Sequence, residues 1–453
     1  MNATAFMEEL GGLYGSRVVE EFGEIIRLYD FYEGKGQLWP VNGTLDYLPT
    51  VKRTNLIKKL IKAQARFLFG RTPEFSVRAT EKENTQAAQE MTRFLNRILR
   101  ENHFGDRLIR AARDCFIGKR VALRLWTDED GLSIGFRPSL EFLYEPKEDD
   151  ADKLAKIVFF YQLNTEPAHR KQRIWKQKFV MEQGRCLLSE GIYDGDGRLV
   201  ECRYDRFDTG LSFIPAYVIL NDGLSGDLSG ESDVAELIEN QNAYNRLTSD
   251  DIDALRFNLF PQRVATDASL SSLDKLVIAP GALIDLQTDP TMMDGKQASM
   301  EMLEPKFGYD DRIEHTLSRI KSDMYELLSV PDLSAEQLKG TLSSGQSIRT
   351  MYWELLCRCE EKWACWEAAL GWMAYAIFHL AKRMGLASFP DIEWELHIEH
   401  GYPLPDDEET ERLNDLKEVE AKVRSRRSYM EKWRIAADPQ GELERIDQTE
   451  QTE

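Results

Sequence analysis

Cysteine is scarce in this chain. Only Cys115, Cys186, Cys202, Cys357, Cys359 and Cys365 occur in 453 residues, and their spacing matches no disulfide framework. This usage suits a reducing compartment. Structural zinc is not expected either, because Cys357 and Cys359 on a helix project to nearly opposite sides and no CXXC pair exists elsewhere. Long apolar runs are also missing: the longest, Ala368 to Leu380, is broken by Gly371 and His379, well short of the roughly 18 residues a membrane span needs. The start, Met1-Asn2-Ala3-Thr4, lacks the basic and apolar regions of a signal peptide, so synthesis and use in the cytoplasm are expected. The turn-rich stretch Gly340-Thr341-Leu342-Ser343-Ser344-Gly345 lacks the Gly-Lys-Ser/Thr ending of a P-loop, which excludes an ATPase reading, and no cofactor is expected. Positive charge is in deficit, 58 Lys and Arg against 78 Asp and Glu, a formal net charge of -20. Tight binding of nucleic acid, which draws on basic patches and counterion release, is not expected.

What is present is enough apolar residue, 42%, to build a core in a chain long enough for about three domains. The N-terminal third reads as helix from about Ser16 to Tyr29, a loop through Gly34, Gly36 and Pro40, and a second helical stretch. In that stretch Leu56, Leu60, Ala63, Phe67 and Leu68 share one face while Lys52, Arg53, Lys58, Lys59, Lys62 and Arg66 occupy another, read as a solvated surface. Gly70 and Pro73 end it, and Phe75 to Arg78 is extended. Helices are expected over Asn84 to Asn102 and Asp106 to Ile117. Beyond Gly118 the period becomes two, with Val121, Leu123 and Leu125 in one strand and Leu132, Ile134 and Phe136 in the next across the Asp128-Glu129-Asp130-Gly131 turn, a hairpin signal. Strands follow around Ile157 to Leu163, Arg173 to Met181, Arg185 to Leu188 and Leu199 to Tyr204, giving an α-rich α+β chain with an antiparallel sheet.

From Ser232, a plausible N-cap, a helix carries Val234, Leu237, Ile238, Gln241, Tyr244 and Asn245 on one face. Its polar residues Asn240, Gln241, Asn242, Asn245 and Arg246 suit packing against another subunit better than a dry core. Pro261 to Pro305 holds short apolar runs between turns, a small β-containing insertion. Ile313, Leu317, Ile320, Met324 and Leu327 then mark an amphipathic helix that Pro331 ends, and a long helix is expected from about Gln346 to Arg383. Trp394, Leu396 and Ile398 alternate as a strand would, with His397 and His400 read as surface or interface residues. The tail gives a charged helix to about Arg427, another over Tyr429 to Ile435, and a disordered end from Asp447 to Glu453.

Three blocks carry a family resemblance: Gly230 to Asn245 followed by Ser249, Asp250, Asp251 and Asp253; SDMYELLSVPDLSAEQLKGTLSSGQSIRTMYWELL from Ser322 to Leu356; and Asp438 to Ile446. In serial order, over roughly Leu56 to Ile446, the chain resembles the portal proteins of tailed bacteriophages of the long-tailed type, the head-to-tail connector subunits. The resemblance implies a portal fold with a wing of helices plus antiparallel sheet (1–230), a stem helix (231–258), a small β-containing clip (259–307), a second stem helix (308–329), a tunnel loop (330–345), a long wing helix and following strand (346–400), and a helical crown and C-terminal tail (401–453). It further implies no bond chemistry, a homo-oligomeric ring of typically twelve copies at a capsid vertex of the virion, assembled in the host cytoplasm, and non-specific passage of double-stranded DNA during packaging and ejection. Implied partners are the terminase large subunit, a head-completion adaptor, and capsid and scaffold proteins, with no membrane. Gln337, Lys339, Thr341 and Ser343 are the tunnel-loop groups placed to meet phosphates. An acidic lining would keep moving DNA from sticking, within the short range that screening allows.

Two other classes compete. Asp250, Asp251 and Asp253, or Asp310 and Asp311, could hold a divalent ion in a metal-dependent nuclease or phosphotransferase, although helix-start and surface acids are the simpler reading. A helical scaffold protein dimerising through 309 to 380 is the other.

Overall fold

The computed structural model describes residues 16–36, 47–128, 131–150, 153–163, 173–195, 197–259, 262–269, 286–291, 297–303, 310–332, 345–390, 392–404, 408–433, 435 and 438–450. In chain order the elements are α1 (Ser16–Glu33), α2 (Leu56–Phe69), β1 (Glu74–Ala79), α3 (Thr85–Glu101) and α4 (Phe104–Gly118). Eight strands follow: β2 (Arg120–Asp128), β3 (Gly131–Pro138), β4 (Phe142–Pro146), β5 (Leu154–Gln162), β6 (Arg173–Glu182), β7 (Arg185–Asp194), β8 (Leu199–Asp208) and β9 (Ala216–Leu220). Then come α5 (Ile238–Leu259), β10 (Gln262–Thr266), β11 (Ser299–Leu303), α6 (Asp310–Leu327), α7 (Gly345–Met351), α8 (Trp353–Arg383) and β12 (Trp394–Glu399). Three helices close the chain: α9 (Glu408–Glu420), α10 (Arg426–Lys432) and α11 (Pro439–Glu450).

These elements form two compact units. The larger holds Lys62–Glu231 and Leu328–Glu453, and the smaller holds Asn2–Ile61 and Ser232–Leu327, so the division falls within α2.

In the larger unit, β2 is the middle strand of a three-stranded sheet, order β3-β2-β9, and its first six residues are all buried. The expected hairpin is there, with Asp128 opposite Gly131, Leu123 opposite Phe136 and Leu125 opposite Ile134. The turn from α3 to α4 is tied to this sheet by Asn102, whose Oδ1 accepts from Ile134 N at 2.8 Å while Nδ2 donates to Leu132 O at 2.9 Å. Next to it His103 takes a left-handed φ of 49°, letting α4 start immediately. A five-stranded antiparallel sheet, order β4-β5-β6-β7-β8, supplies the second core, in which Phe142, Phe159, Trp175 and Phe179 pack with Ile214 and Ala216. Arg124 enters this core with its guanidinium 4.8 Å from the Trp126 ring and 5.0 Å from that of Trp175, and burial pulls its pKa down to about 10. β1 pairs with β12, Phe75 opposite Ile398 and Val77 opposite Leu396, so the alternation read around Trp394 is that of a strand.

The long helix α8 is anchored by a buried cation. Lys362, 3% exposed, donates from Nζ to Asn221 Oδ1 at 2.7 Å and to Asp222 Oδ2 at 3.0 Å, with the Phe116 ring 4.8 Å away. Asn221 is itself a hub: its N–H donates to Lys119 O, and its Nδ2 donates to Glu231 O.

Four expectations need correction. The helix foreseen from Gln346 is two helices, α7 and α8, broken at Tyr352 (φ -93°, ψ 5°), whose ring stacks on Phe67 at 5.3 Å and 4°. Lys52 and Arg53 precede α2 and lie in a segment without helix, because Asn55 Oδ1 accepts from Lys58 N at 2.9 Å and so caps the helix there. The charged helix of the tail stops at Glu420 rather than near Arg427, the chain turning through Lys422 at φ +59°. Asp447 to Glu450 belong to α11 rather than to a disordered end, and 451–453 lie outside the described residues.

Candidate functional site

Besides α1 and the start of α2, the smaller unit holds a helix, a β pair and a second helix: α5, then β10 against β11 (Val264 opposite Glu301), then α6, which packs on α5. Ser232, expected as an N-cap, instead closes the turn before the helix, its Oγ accepting from Val234 N at 3.2 Å, and a single 3₁₀ turn at Ala235–Leu237, with Val234 at its N-cap, leads into α5. Along α5 the buried residues are Gln241, Asn245, Ser249 and Asp253, a polar stripe at steps of four. Each accepts a hydrogen bond from the main chain of the segment before α2 or, for Gln241, of the first two residues of α2. Asp253 Oδ2 accepts from Thr50 N at 2.9 Å, Ser249 Oγ from Lys52 N at 3.0 Å, Asn245 Oδ1 from Thr54 N at 2.9 Å, and Gln241 Oε1 from Leu56 N at 2.9 Å and Ile57 N at 3.2 Å. Gln241 also donates from Nε2 to Thr54 O at 2.6 Å.

The geometry explains the spacing. Four residues of helix advance about 6 Å and two residues of extended chain about 6.6 Å, so the two periods stay in step over four contacts. The segment 50–56 is thereby laid along α5 as an extended strap running opposite to it, held mainly through its backbone, with one exposed side-chain bond from Arg256 Nη1 to Thr50 Oγ1 at 3.2 Å. This corrects the expectation that Gln241 and Asn245 await another subunit: both are buried by residues of their own chain. Sequence reasoning saw the polar residues but not their partner, because a main-chain partner has no side-chain signature.

On another side of α5, a groove of about 450 Å³ runs along α6, with Tyr244, Leu255, Ile313 and Leu317 beside Asp251, Glu314 and Lys321. Tyr325 of α6 is buried and accepts from Lys59 Nζ at 2.5 Å, with Lys59 and Lys321 at 5.2 and 5.4 Å from its ring.

The three acids of the nuclease reading do not converge. Asp253 is engaged by Thr50, Asp250 is exposed, and Asp251 lines the α6 groove; among the described residues no group of three His, Cys, Asp or Glu could hold a metal ion. Of the expected tunnel-loop groups, Gln337, Lys339, Thr341 and Ser343 all lie outside the described residues.

In the larger unit a second polar feature was missed. His397 is exposed, as expected, but His400 is half-buried, stacked on Trp363 with centroids 3.9 Å apart, and its Nε2 lies 2.7 Å from Leu68 O. As the neutral tautomer with its proton on Nε2 it donates to that carbonyl. Burial is the main cause that holds its pKa below the ordinary 6.5. The unfolded chain therefore binds the proton more readily, and this histidine's contribution is full above the ordinary histidine range and lost as pH falls through the folded value. His400→Gln keeps a donor for Leu68 O and removes the titration. Its urea midpoint is expected to fall less than that of the parent between about pH 7.5 and about pH 5; equal pH dependence in the two proteins would refute the assignment.

Among the described residues no helix is long and apolar enough to cross a membrane. No curated protein matches the chain in sequence. One family profile, phage portal protein, SPP1 Gp6-like, matches residues 17–453, nearly the whole chain, and the α-rich α+β architecture agrees with a portal fold. The chain therefore belongs to the phage portal proteins, SPP1 Gp6-like.

Proposed function

We propose that this portal protein forms a closed ring of about twelve copies at one capsid vertex, through which double-stranded DNA is packaged and later ejected. The observation that carries the reading is the match over residues 17–453 combined with the layout of the smaller unit, two helices of 22 and 18 residues connected through a small β pair. Helices of that length span about 33 and 27 Å, enough to form the wall of a channel. On this reading α5 and α6 are the stem, β10 and β11 belong to the clip, residues 330–345 form the tunnel loop, α8 with the two larger sheets forms the wing, and α9 to α11 form the crown. The clip docks the terminase large subunit during packaging and a head-completion adaptor afterwards. Capsid and scaffold proteins surround the wing, and assembly takes place in the host cytoplasm. The protein performs no bond chemistry; its acids keep DNA moving rather than bound.

Native mass spectrometry with particle imaging tests this. A mass near twelve or thirteen times the 52.3 kDa subunit, with annular particles, is the expected result. Divalent-dependent cleavage of DNA by the purified chain would favour the nuclease reading instead.

A further inference from the structure

The strap on α5 has a second edge. In an extended chain successive peptide groups point to opposite sides, and the N–H groups of Thr50, Lys52 and Thr54 are all taken by α5. Val51 and Arg53 face the other way, and neither makes a hydrogen bond among the described residues. Val51 is 50% exposed, and Leu48 just before it is 86% exposed. An unpaired main-chain edge flanked by exposed apolar side chains is the usual template for strand addition. Here the template is already immobilised by four side chains of α5, so a joining strand orders only itself.

Charge decides the occupant. From Tyr47 to Ile61 the chain carries four Lys and Arg and no Asp or Glu, within a protein of net charge -20; Lys58 pairs with Glu33 and Lys59 bonds Tyr325, and Lys52 and Arg53 lie on the strap itself. A partner for this strip is acidic, and a second copy of the same chain meets that requirement. We propose that the outward edge at Val51 and Arg53 takes an extended acidic strand from a second copy, joined by main-chain hydrogen bonds. Pairing of two straps with each other would set Lys52 and Arg53 against their own equivalents, so the added strand comes from a different part of the neighbour. Such a contact is heterologous, as a closed ring requires. The inference rests on the ring reading given above.

Hydrogen exchange read by mass spectrometry over residues 47–56 tests it, comparing the chain below its assembly concentration with the assembled ring. The Val51 and Arg53 amides are expected to exchange at least about tenfold more slowly in the ring, while Thr50, Lys52 and Thr54 are protected in both. Val51→Pro and Arg53→Pro remove the outward N–H groups together with the Val51 and Arg53 side chains, leave the inward N–H groups of Thr50, Lys52 and Thr54 in place, and suit an extended backbone. Each should raise the concentration needed for assembly by about tenfold or more. Continued protection of Thr54 and Leu56 in these variants shows that the strap is still seated. A ring in which Val51 and Arg53 exchange freely overturns the proposal and leaves the ring standing. Protection that appears only when duplex DNA is added assigns the edge to nucleic acid. A chain that never assembles removes the ring reading and the proposal with it.

Discussion

Gln241→Leu is expected to destabilise the smaller unit by about 3 kcal/mol, roughly a hundredfold in its folded population. The side chain is 3% exposed and serves three main-chain groups, accepting from Leu56 and Ile57 and donating to Thr54 O. Leu56 and Ile57 open α2, and the first N–H groups of a helix have no partner within it. Gln241 therefore acts as an N-terminal cap supplied from another helix, and leucine of similar size leaves the Ile57 N–H without a partner and the Leu56 N–H and Thr54 O with only their 3.2 Å bond to each other. The orphaned donor costs about 1–3 kcal/mol and each of the other two bonds lost about 0.5–1.5 kcal/mol, which places the total near about 3 kcal/mol. Urea unfolding with exchange rates at Leu56 and Ile57 measures it. A midpoint unchanged within error, with both amides still protected, would mean that the cap is dispensable.

Lys362→Met should cost about 2–3 kcal/mol, although methionine fills similar space and a buried charge is removed. The reason is asymmetry. Replacing an ion pair whole is often harmless, but here Asn221 Oδ1 and Asp222 Oδ2 remain behind when the ammonium goes. Asp222 has a side chain 40% exposed and can turn to water, whereas Asn221 is 2% exposed and is held in place by its bonds to Lys119 and Glu231. The cost therefore falls mainly on Asn221, and Asp222→Asn should cost less than about 1 kcal/mol. A Lys362→Met variant as stable as the parent, or an Asp222→Asn variant that loses more, would reverse this apportionment.

The parts of the fold legible in the sequence are those set by local period. The alternation of Val121, Leu123 and Leu125 in one strand and of Leu132, Ile134 and Phe136 in the next marked a hairpin that the structure contains, and the strands expected from Arg173 and Arg185 are present, the second of them longer than expected. The break at Tyr352 was not legible because no glycine or proline marks it; it coincides with a ring stacked on Phe67, nearly 300 positions earlier. His400 was misjudged for a similar reason, its environment being made by Leu68 and Trp363 from distant elements. At the polar stripe, Gln241 and Asn245 were visible as residues that do not belong in a dry core, but nothing in residues 50–57 announces a backbone partner.

That one-sided recognition bears on how this region tolerates sequence drift. Since α5 grips chiefly peptide groups, with one exposed side-chain bond from Arg256 to Thr50 Oγ1, the side chains at positions 52 and 54 are free to vary among residues that keep an N–H, with proline excluded, and position 50 nearly so. The obligation rests on Gln241, Asn245, Ser249 and Asp253. A saturation library should accordingly show permissive columns along the strap facing four restrictive ones on the helix, so the information that positions this segment is written almost wholly in α5.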